Sequence, residues 1–575
     1  MSTSHVHDRM RFSHTNGVLS QPDPAVRITS THVQQIRDKA QSLKAEFIEQ
    51  LDSQLGDVFA NFIDEVDGTR SGRSTPIEEP KHRKNFAING TLRNASRGTR
   101  PVGLAKNREQ QVKTFVARRS VLTELLEVSH IKTIQHVFIA VLIIFSLNTI
   151  VYDIVDTGRL QLNFETITWA FGKFPVVMWV WCLMLISTML LVFPFFTFWA
   201  QHRHFQSRLP DAFWLLLYTA YQVAFIVLPV KALLMYELPP ASTICVVTEQ
   251  VRFIMKAHSF VRENIPRALS YKPHSDTDLN VEEDTDMDEI GSTSSNSDSS
   301  GASALFDESS PCPGFSQYLY FLFAPTLVYR DHYPRTPSIK WNYVFSNFMQ
   351  VVGCLFYIYY IFERFCMPVF QNFGKEELTI RNLTLSVFGC MLPATLVLII
   401  SFFAILHSWL NAFAEMLRFA DRMFYRDWWN SSSFSNYYRT WNVVVHDWLY
   451  TYVYRDCLRG LGYSRRALAM LSTFLFSAVA HEYILIIAFR FFYPVLFLMF
   501  AGIGFSFIFI TDKGVARGWN VFMWVSLFIG NGLLMCLYSQ EWYARINCPQ
   551  ESSDLMDMFT PRSWTCKYKP VSSSS

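Results

Sequence analysis

A histidine and a glutamate, His481 and Glu482, stand side by side in the middle of ALAMLSTFLFSAVAHEYILIIAF, residues 467–489. The stretch is long and apolar enough to cross a bilayer, where about 20 residues suffice. Ionisable groups at that depth cost about 3 kcal/mol or more unless they face protein or water, so they mark a functional site by default. On a helix Ser477 lies one turn before His481 on the same face, and Glu482 points about 100° away. The pair suits proton chemistry, either by the imidazole alone or as a His–Glu relay of the transporter kind. The inert alternative is a buried histidine satisfied by a neighbouring backbone group.

A second group lies upstream, in FYRDWWNSSSFSNYYRTWNVVVHDWLYTYVY, residues 424–454. Aromatic rings with polar tips suit a membrane interface, and an aromatic belt is the plain explanation. Two features weigh against it. Asn436, Arg439, Asn442 and His446 follow at spacings of three, three and four, which predicts one helical face. Arg426 and Asp427 sit beside Trp428 and Trp429, where a belt would need no internal ion pair. A face of amide, guanidinium and imidazole groups fits an amphiphile with an anionic, hydrogen-bonding head.

These residues need elements to hold them, and the composition says which. The chain has 575 residues, 50% of them hydrophobic and 16% aromatic, with a net charge of +3. Several windows exceed 18 apolar residues, which predicts an all-α polytopic membrane protein. The small net charge and the lack of a basic motif argue against nucleic acid. Ten cysteines are scattered without a CxxC pair, so no metal site is expected. Nine candidate spans lie near 134–152, 174–199, 213–234, 241–260, 341–363, 384–410, 467–489, 491–510 and 519–538. The fourth is interrupted by Glu249, Arg252, Lys256 and His258, and must bury that polar face inside protein. The segment 440–454, with His446 and Asp447, is too short to span and is expected to be buried or re-entrant.

Basic residues up to Arg118 and Arg119 precede the first span, which predicts a cytosolic N-terminus. Nine spans then place the C-terminus in the lumen, with Arg203, Arg208, Arg465, Arg466, Lys513 and Arg517 on cytosolic loops. Cys548 and Cys566 fall on the oxidising side, where a disulfide can persist. No charged-then-apolar signal opens the chain, so targeting is expected to rest on the first span. Residues 1–125 form the predicted cytosolic region, with an amphipathic, self-associating helix over about 30–64 and a disordered linker over 68–103. Residues 126–545 form the membrane domain, interrupted by a disordered acidic and serine-rich loop at 275–310, and residues 546–575 a luminal tail. The sequon at Asn382 lies on a luminal loop almost at the membrane, too close for glycosylation.

The residues Phe424, Tyr425, Arg426, Asp427, Trp428, Trp429 and Asn430 match the FYxDWWN signature of the sterol and diacylglycerol branch of the membrane-bound O-acyltransferases. AHEY at 480–483 resembles the surroundings of that family's catalytic histidine. MKAHSFVREN at 255–264, YLYFLFAPTLVYRDHYPR at 318–335, FSNYYRTWNVVVHDWLY at 434–450 and YSQEWYAR at 538–545 look like the sterol O-acyltransferases. The resemblance covers about residues 125–570 and carries nothing to the N-terminal region or the acidic loop.

The resemblance implies a bundle of about nine transmembrane helices around a central chamber. It implies acyl transfer from acyl-CoA, a co-substrate and not a cofactor, to the 3-hydroxyl of a sterol, with His481 as general base. Asn442 would support the oxyanion, since an amide NH₂ can donate to it. Asn436, Arg439, Asn442, His446, Tyr454 and Ser477 would line the acyl-CoA path, and Arg466 would meet CoA phosphates or serve only as a positive-inside anchor. His258 and Arg262 would border the chamber or be structural. Cys548 and Cys566 match the family's luminal disulfide. The resemblance also implies an endoplasmic reticulum membrane protein that forms a homodimer or a dimer of dimers. Acylation of diacylglycerol or a wax alcohol is the nearest rival, and a transporter the remote one. Glu482 has no sequence-assigned partner.

Overall fold

The computed structural model describes residues 113–158, 164–203, 209–271, 310–375, 379–462, 465–511, 518–548 and 558–566. All of them fall in the compact unit Gly103–Ser575. The predicted amphipathic helix, the 68–103 linker and most of the 275–310 loop lie outside the described residues.

The described chain is helical. The elements used below are α1 (Ser129–Thr157), α2 (Phe174–Ser187), α3 (Leu209–Met235), α4 (Pro240–Ser270), α5 (Trp341–Ile361), α6 (Ile380–Phe402), α7 (Phe434–Trp441), α8 (Val443–Trp448), α9 (Arg466–Phe489), α10 (Phe505–Thr511), α11 (Gly518–Asn547) and α12 (Arg562–Thr565). Seven segments are long and apolar enough to cross a membrane: Ser129–Asp156, Glu165–His202, Asp211–Met235, Trp341–Phe370, Ile380–Met416, Arg466–Phe489 and Gly518–Asn547. They match seven of the nine sequence-predicted spans. The other two differ for stated reasons: α4 is long enough but too polar, and Val495–Thr511 is apolar but short. Ile134, Val137, Ile144, Val151 and Val155 of α1 are all exposed, an apolar surface of the kind that a bilayer covers.

α4 has the opposite character. Gln250, Lys256, Ser259 and Asn264 are all but fully buried along it. Each side chain donates to a partner, although Asn264 Oδ1 is buried without one among the described residues. Lys256 Nζ donates to the carbonyls of Phe321 and Ala324 at 2.5 and 2.8 Å. Gln250 answers a defect in α3. Pro229 has no N–H, so the Phe225 carbonyl one turn earlier loses its helical donor. Gln250 Nε2 donates to that carbonyl at 2.8 Å and to the Ile226 carbonyl at 2.9 Å. α4 is therefore the polar strut of the bundle.

Elsewhere close packing replaces polar ties. A Cβ on Gly532 of α11 would meet Met391 Cγ of α6 at 2.7 Å and the Val387 carbonyl at 2.9 Å, so glycine sets the contact distance. At the end of α11, Glu541 accepts from the amides of Arg562 and Ser563 at the start of α12, at 2.8 and 3.0 Å. Cys548 and Cys566 are joined as a disulfide with their Cα atoms 6.1 Å apart, which clamps the tail onto the same helix end. Asn382 sits in the first turn of α6 and not on a loop, contrary to the sequence expectation.

Candidate active site

FYRDWWN folds as a loop ending in a single 3₁₀ turn, Trp428–Asn430. Its backbone is laced to the junction of α7 and α8. Arg426 N donates to the Thr440 carbonyl at 2.8 Å, and Val443 N donates to the Phe424 carbonyl at 2.9 Å. Phe424, Tyr425 and Trp428 are buried. Trp428 lies edge-on to Phe402 and Trp441, with centroids 5.2 and 4.6 Å apart. The Tyr425 hydroxyl meets Ser120 Oγ at 2.9 Å and His407 Nδ1 at 2.7 Å. The Trp429 carbonyl accepts from Asn520 Nδ2 and Trp524 Nε1 of α11 at 2.9 and 3.2 Å. Arg426, Asp427 and Asn430 are exposed. The ion pair expected of Arg426 and Asp427 does not form, and both side chains are exposed.

The predicted single helical face through Asn436, Arg439, Asn442 and His446 is broken. Asn442 takes φ −137° and ψ 89°, ending α7 and starting α8. The cause is its own side chain: Oδ1 accepts from Val445 N at 3.1 Å, an N-cap that competes with helix continuation. With Oδ1 engaged, the Nδ2 of Asn442 keeps its protons for another acceptor. Asn436 and Arg439 share an exposed face of α7. Asn436 Nδ2 donates to Ser431 Oγ at 2.9 Å, tying α7 to the signature loop.

His446 and Tyr454 are linked by a residue that the sequence reading missed. Tyr450 stacks on His446 with centroids 6.3 Å apart and on Tyr454 at 5.5 Å, so the three rings form a ladder. Their repeated spacing of four is the signal that could have found it. Asp447 pairs with Lys113 and approaches His446 Nδ1 at 3.5 Å. Burial disfavours its carboxylate, but the His446 hydrogen bond and the Lys113 charge outweigh that and hold its pKa below the usual range. His258 packs edge-on against Trp448 and Tyr452, and Arg262 pairs with Asp456 at 3.1 Å, so both have structural partners.

In α9 three consecutive residues are directed three ways. His481 Nδ1 lies 2.7 Å from the Ser477 carbonyl. A carbonyl cannot donate, so Nδ1 carries the proton and a neutral ring keeps Nε2 as an acceptor. The backbone thus satisfies one nitrogen, as the inert reading supposed, and leaves the other free. Phe500 stacks on the ring, centroids 5.6 Å apart and 28° from parallel, and the imidazole is not buried. Phe500 and Phe474 in turn enclose Tyr438 of α7, at 5.4 and 5.0 Å, which brings the histidine's surroundings to the polar helix pair. Glu482 points elsewhere, to Tyr538 and the Phe497 amide, and Tyr483 donates to Gln250 Oε1 at 2.7 Å. With the Glu482 oxygens engaged there, no His–Glu relay is assembled. Ser477 is buried beneath the ring, and Arg466 is exposed at the first turn of α9. It stands about 22 Å along the helix from His481 at 1.5 Å per residue.

The described chain is thus a polytopic helical bundle in which an imidazole with one open nitrogen is linked through Phe500 and Tyr438 to a polar helix pair. The profile of the membrane-bound O-acyltransferase family matches residues 214–540, and the chain belongs to that family. It is 50% identical over 464 residues to sterol O-acyltransferase 1 of Mus musculus, covering 80% of each chain. Against sterol O-acyltransferase 1 of Rattus norvegicus the identity is 44% over 539 residues, covering 93% and 91%. Against sterol O-acyltransferase 2 of Homo sapiens it is 42% over 530 residues, covering 92% and 91%.

Proposed function

We propose that this protein transfers a long-chain acyl group from acyl-CoA to the 3-hydroxyl of a sterol, producing a sterol ester and free CoA. The observation that carries the chemistry is the Nδ1 contact of His481 with the Ser477 carbonyl, which aims an unprotonated Nε2 away from the helix. An alcohol is too weak an acid to ionise unaided at neutral pH, so Nε2 takes the hydroxyl proton as the oxygen attacks the thioester carbonyl. The tetrahedral oxyanion is met by a donor, and the free Nδ2 protons of Asn442 suit that task. Collapse expels the CoA thiolate, which recovers the proton from the imidazolium. No covalent acyl-enzyme is needed, so neither Ser477 nor a cysteine acts as nucleophile.

Asn436, Arg439, His446, Tyr454, Ser477 and Arg466 line the acyl-CoA path in this reading. Arg439 and Arg466 are exposed guanidinium groups on α7 and at the start of α9, suited to phosphate oxygens. The sterol relatives favour a sterol over diacylglycerol as acceptor. The protein resides in the endoplasmic reticulum membrane. Its N-terminus is cytosolic and its C-terminus luminal, an outcome that seven or nine crossings give alike, and Arg465 and Arg466 come to the cytosolic side when α4 and the 495–511 segment cross as well. α4, at about 46 Å, exceeds the roughly 30 Å hydrocarbon core, and its polar face is turned inward. Two or four copies assemble through the membrane domain and the 30–64 stripe.

Purified protein given labelled oleoyl-CoA with cholesterol, and separately with diacylglycerol, tests the reading. Ester forms with cholesterol, and His481→Ala lowers the rate by about 10²-fold or more while the protein still inserts. Turnover with diacylglycerol alone would overturn the sterol assignment, and an active His481→Ala variant would overturn the base.

A further inference from the structure

Glu482 and Tyr538 form a buried couple that the acyl-transfer chemistry does not use. Both Glu482 oxygens face the Tyr538 hydroxyl, at 3.1 and 3.2 Å, and Oε2 also accepts from the Phe497 amide at 3.0 Å. The Tyr538 oxygen itself accepts from the Leu496 amide at 3.1 Å. Leu496 and Phe497 open the helical segment that runs from Val495. Their amides belong to its first turn, where no intrahelical acceptor exists. In lipid such orphan donors need partners from within the protein. One carboxylate and one phenol supply both, and a negative charge at a helix start is also favoured by the helix dipole.

We infer that Glu482 and Tyr538 are positioning residues for His481, acting through Phe500. Phe500 follows Phe497 by three residues, in the helical turn that the couple anchors, and its ring lies on the imidazole. The segment Leu498–Gly504 is π-helical, a form frequent at functional sites. Gly504, which closes it, leaves no room for a Cβ beside the Tyr438 hydroxyl. Glu482 is the sequence neighbour of the histidine, so the carboxylate sets the place of Phe500 relative to the same helix that carries the imidazole. The Ser477 carbonyl fixes the tautomer, and the Phe500 ring limits the tilt. This inference rests on His481 being the base.

The test uses the full chain and separates kcat from KM. Glu482→Ala lowers kcat by about tenfold or more with KM for acyl-CoA changed less than about twofold, since a misplaced base loses transition-state geometry before it loses binding. Glu482→Gln restores most of the rate, because its amide oxygen still accepts from Phe497 N and Tyr538. Phe500→Leu lowers kcat in the same way, and the Glu482→Ala/Phe500→Leu double variant is no slower than the slower single, as coupled residues require. If Glu482→Ala does not accumulate, Tyr538→Phe combined with Phe500→Leu poses the same question of additivity. Full kcat in Glu482→Ala, additive losses in the double variant, or equal losses in Glu482→Gln and Glu482→Ala would each overturn the inference. Activity in His481→Ala would instead overturn the assignment of the base on which it rests.

Discussion

The signature loop and the α9 helix make opposite use of polar residues. In FYRDWWN the buried members are all aromatic, Phe424, Tyr425 and Trp428, and its backbone groups are spent on α7, α8 and α11. In α9 most side chains are plain hydrocarbon, yet one imidazole keeps an open nitrogen. The more recognisable segment is a packed wall, and the less conspicuous one carries the imidazole that takes the proton in the proposed mechanism. Specific sequence therefore follows packing demand as much as chemistry. A close-packed cage of tryptophans tolerates few alternatives, whereas a single base needs only its support.

Trp428→Ala breaks that comparison most severely. It empties a cage made by Phe402, Tyr437, Trp441 and Trp524, and a truncation of this size costs about 3–5 kcal/mol. The thermal midpoint in detergent falls steeply and activity is lost with the fold. The indole N–H has no acceptor among the described residues, so Trp428→Phe is far milder. A Trp428→Ala variant with unchanged melting and no activity would instead place Trp428 at the chemistry.

Asn442 sits where wall and chemistry meet, and two substitutions divide its roles. Asn442→Asp keeps the acceptor that caps α8 but loses the amide donor, so stability holds while kcat falls by about 10²-fold or more. Asn442→Ala loses the cap as well, at a further cost of about 1 kcal/mol in stability. Equal kcat in Asn442→Asp and the parent protein would confine Asn442 to the wall.

Much of this was legible in the sequence, and the parts that were not share a cause. Hydropathy and length locate seven membrane-length helices, and the Cys548–Cys566 pairing follows from the family resemblance. A spacing of three, three and four cannot reveal that Asn442 caps its own helix break, because the competing hydrogen bond is local and conformational. The partners of Glu482 and Tyr483, namely Tyr538 and Gln250, lie 56 and 233 positions away, and no periodicity links them. Pro229 was readable as a defect in a helix, but not the side chain that mends it.

The disulfide lies just past the end of α11, on a different element from the histidine. Cys548→Ser unpins the tail beyond α12, and closing a loop of 18 residues is worth about 3 kcal/mol in chain entropy, spent locally. Protease sensitivity of the tail rises while kcat is unchanged, because Glu541 still holds the start of α12. A fall in kcat would tie the disulfide clamp to the site.

The smallest effect sits beside His446. Asp447 holds Lys113, and the nearby Arg118 holds Asp421 at 3.0 Å, so the 113–118 segment is strapped across the signature loop at two points. The Asp447 pKa is lowered in the fold, so its contribution to stability is present above the ordinary carboxylate value near 4 and is lost as pH falls through the lowered value. Neutral pH lies on the stabilised side. Asp447→Asn removes the charge at every pH, and for a partly exposed pair the loss is about 1 kcal/mol or less. The protection of residues 113–118 against hydrogen exchange, taken relative to the intrinsic rate at each pH, then falls at pH 7 to the level that the parent protein shows only in acid, with α9 unaffected. Exchange that stays slow in Asp447→Asn would show that Arg118 and Asp421 suffice to hold the strap, and that Asp447 serves His446 instead.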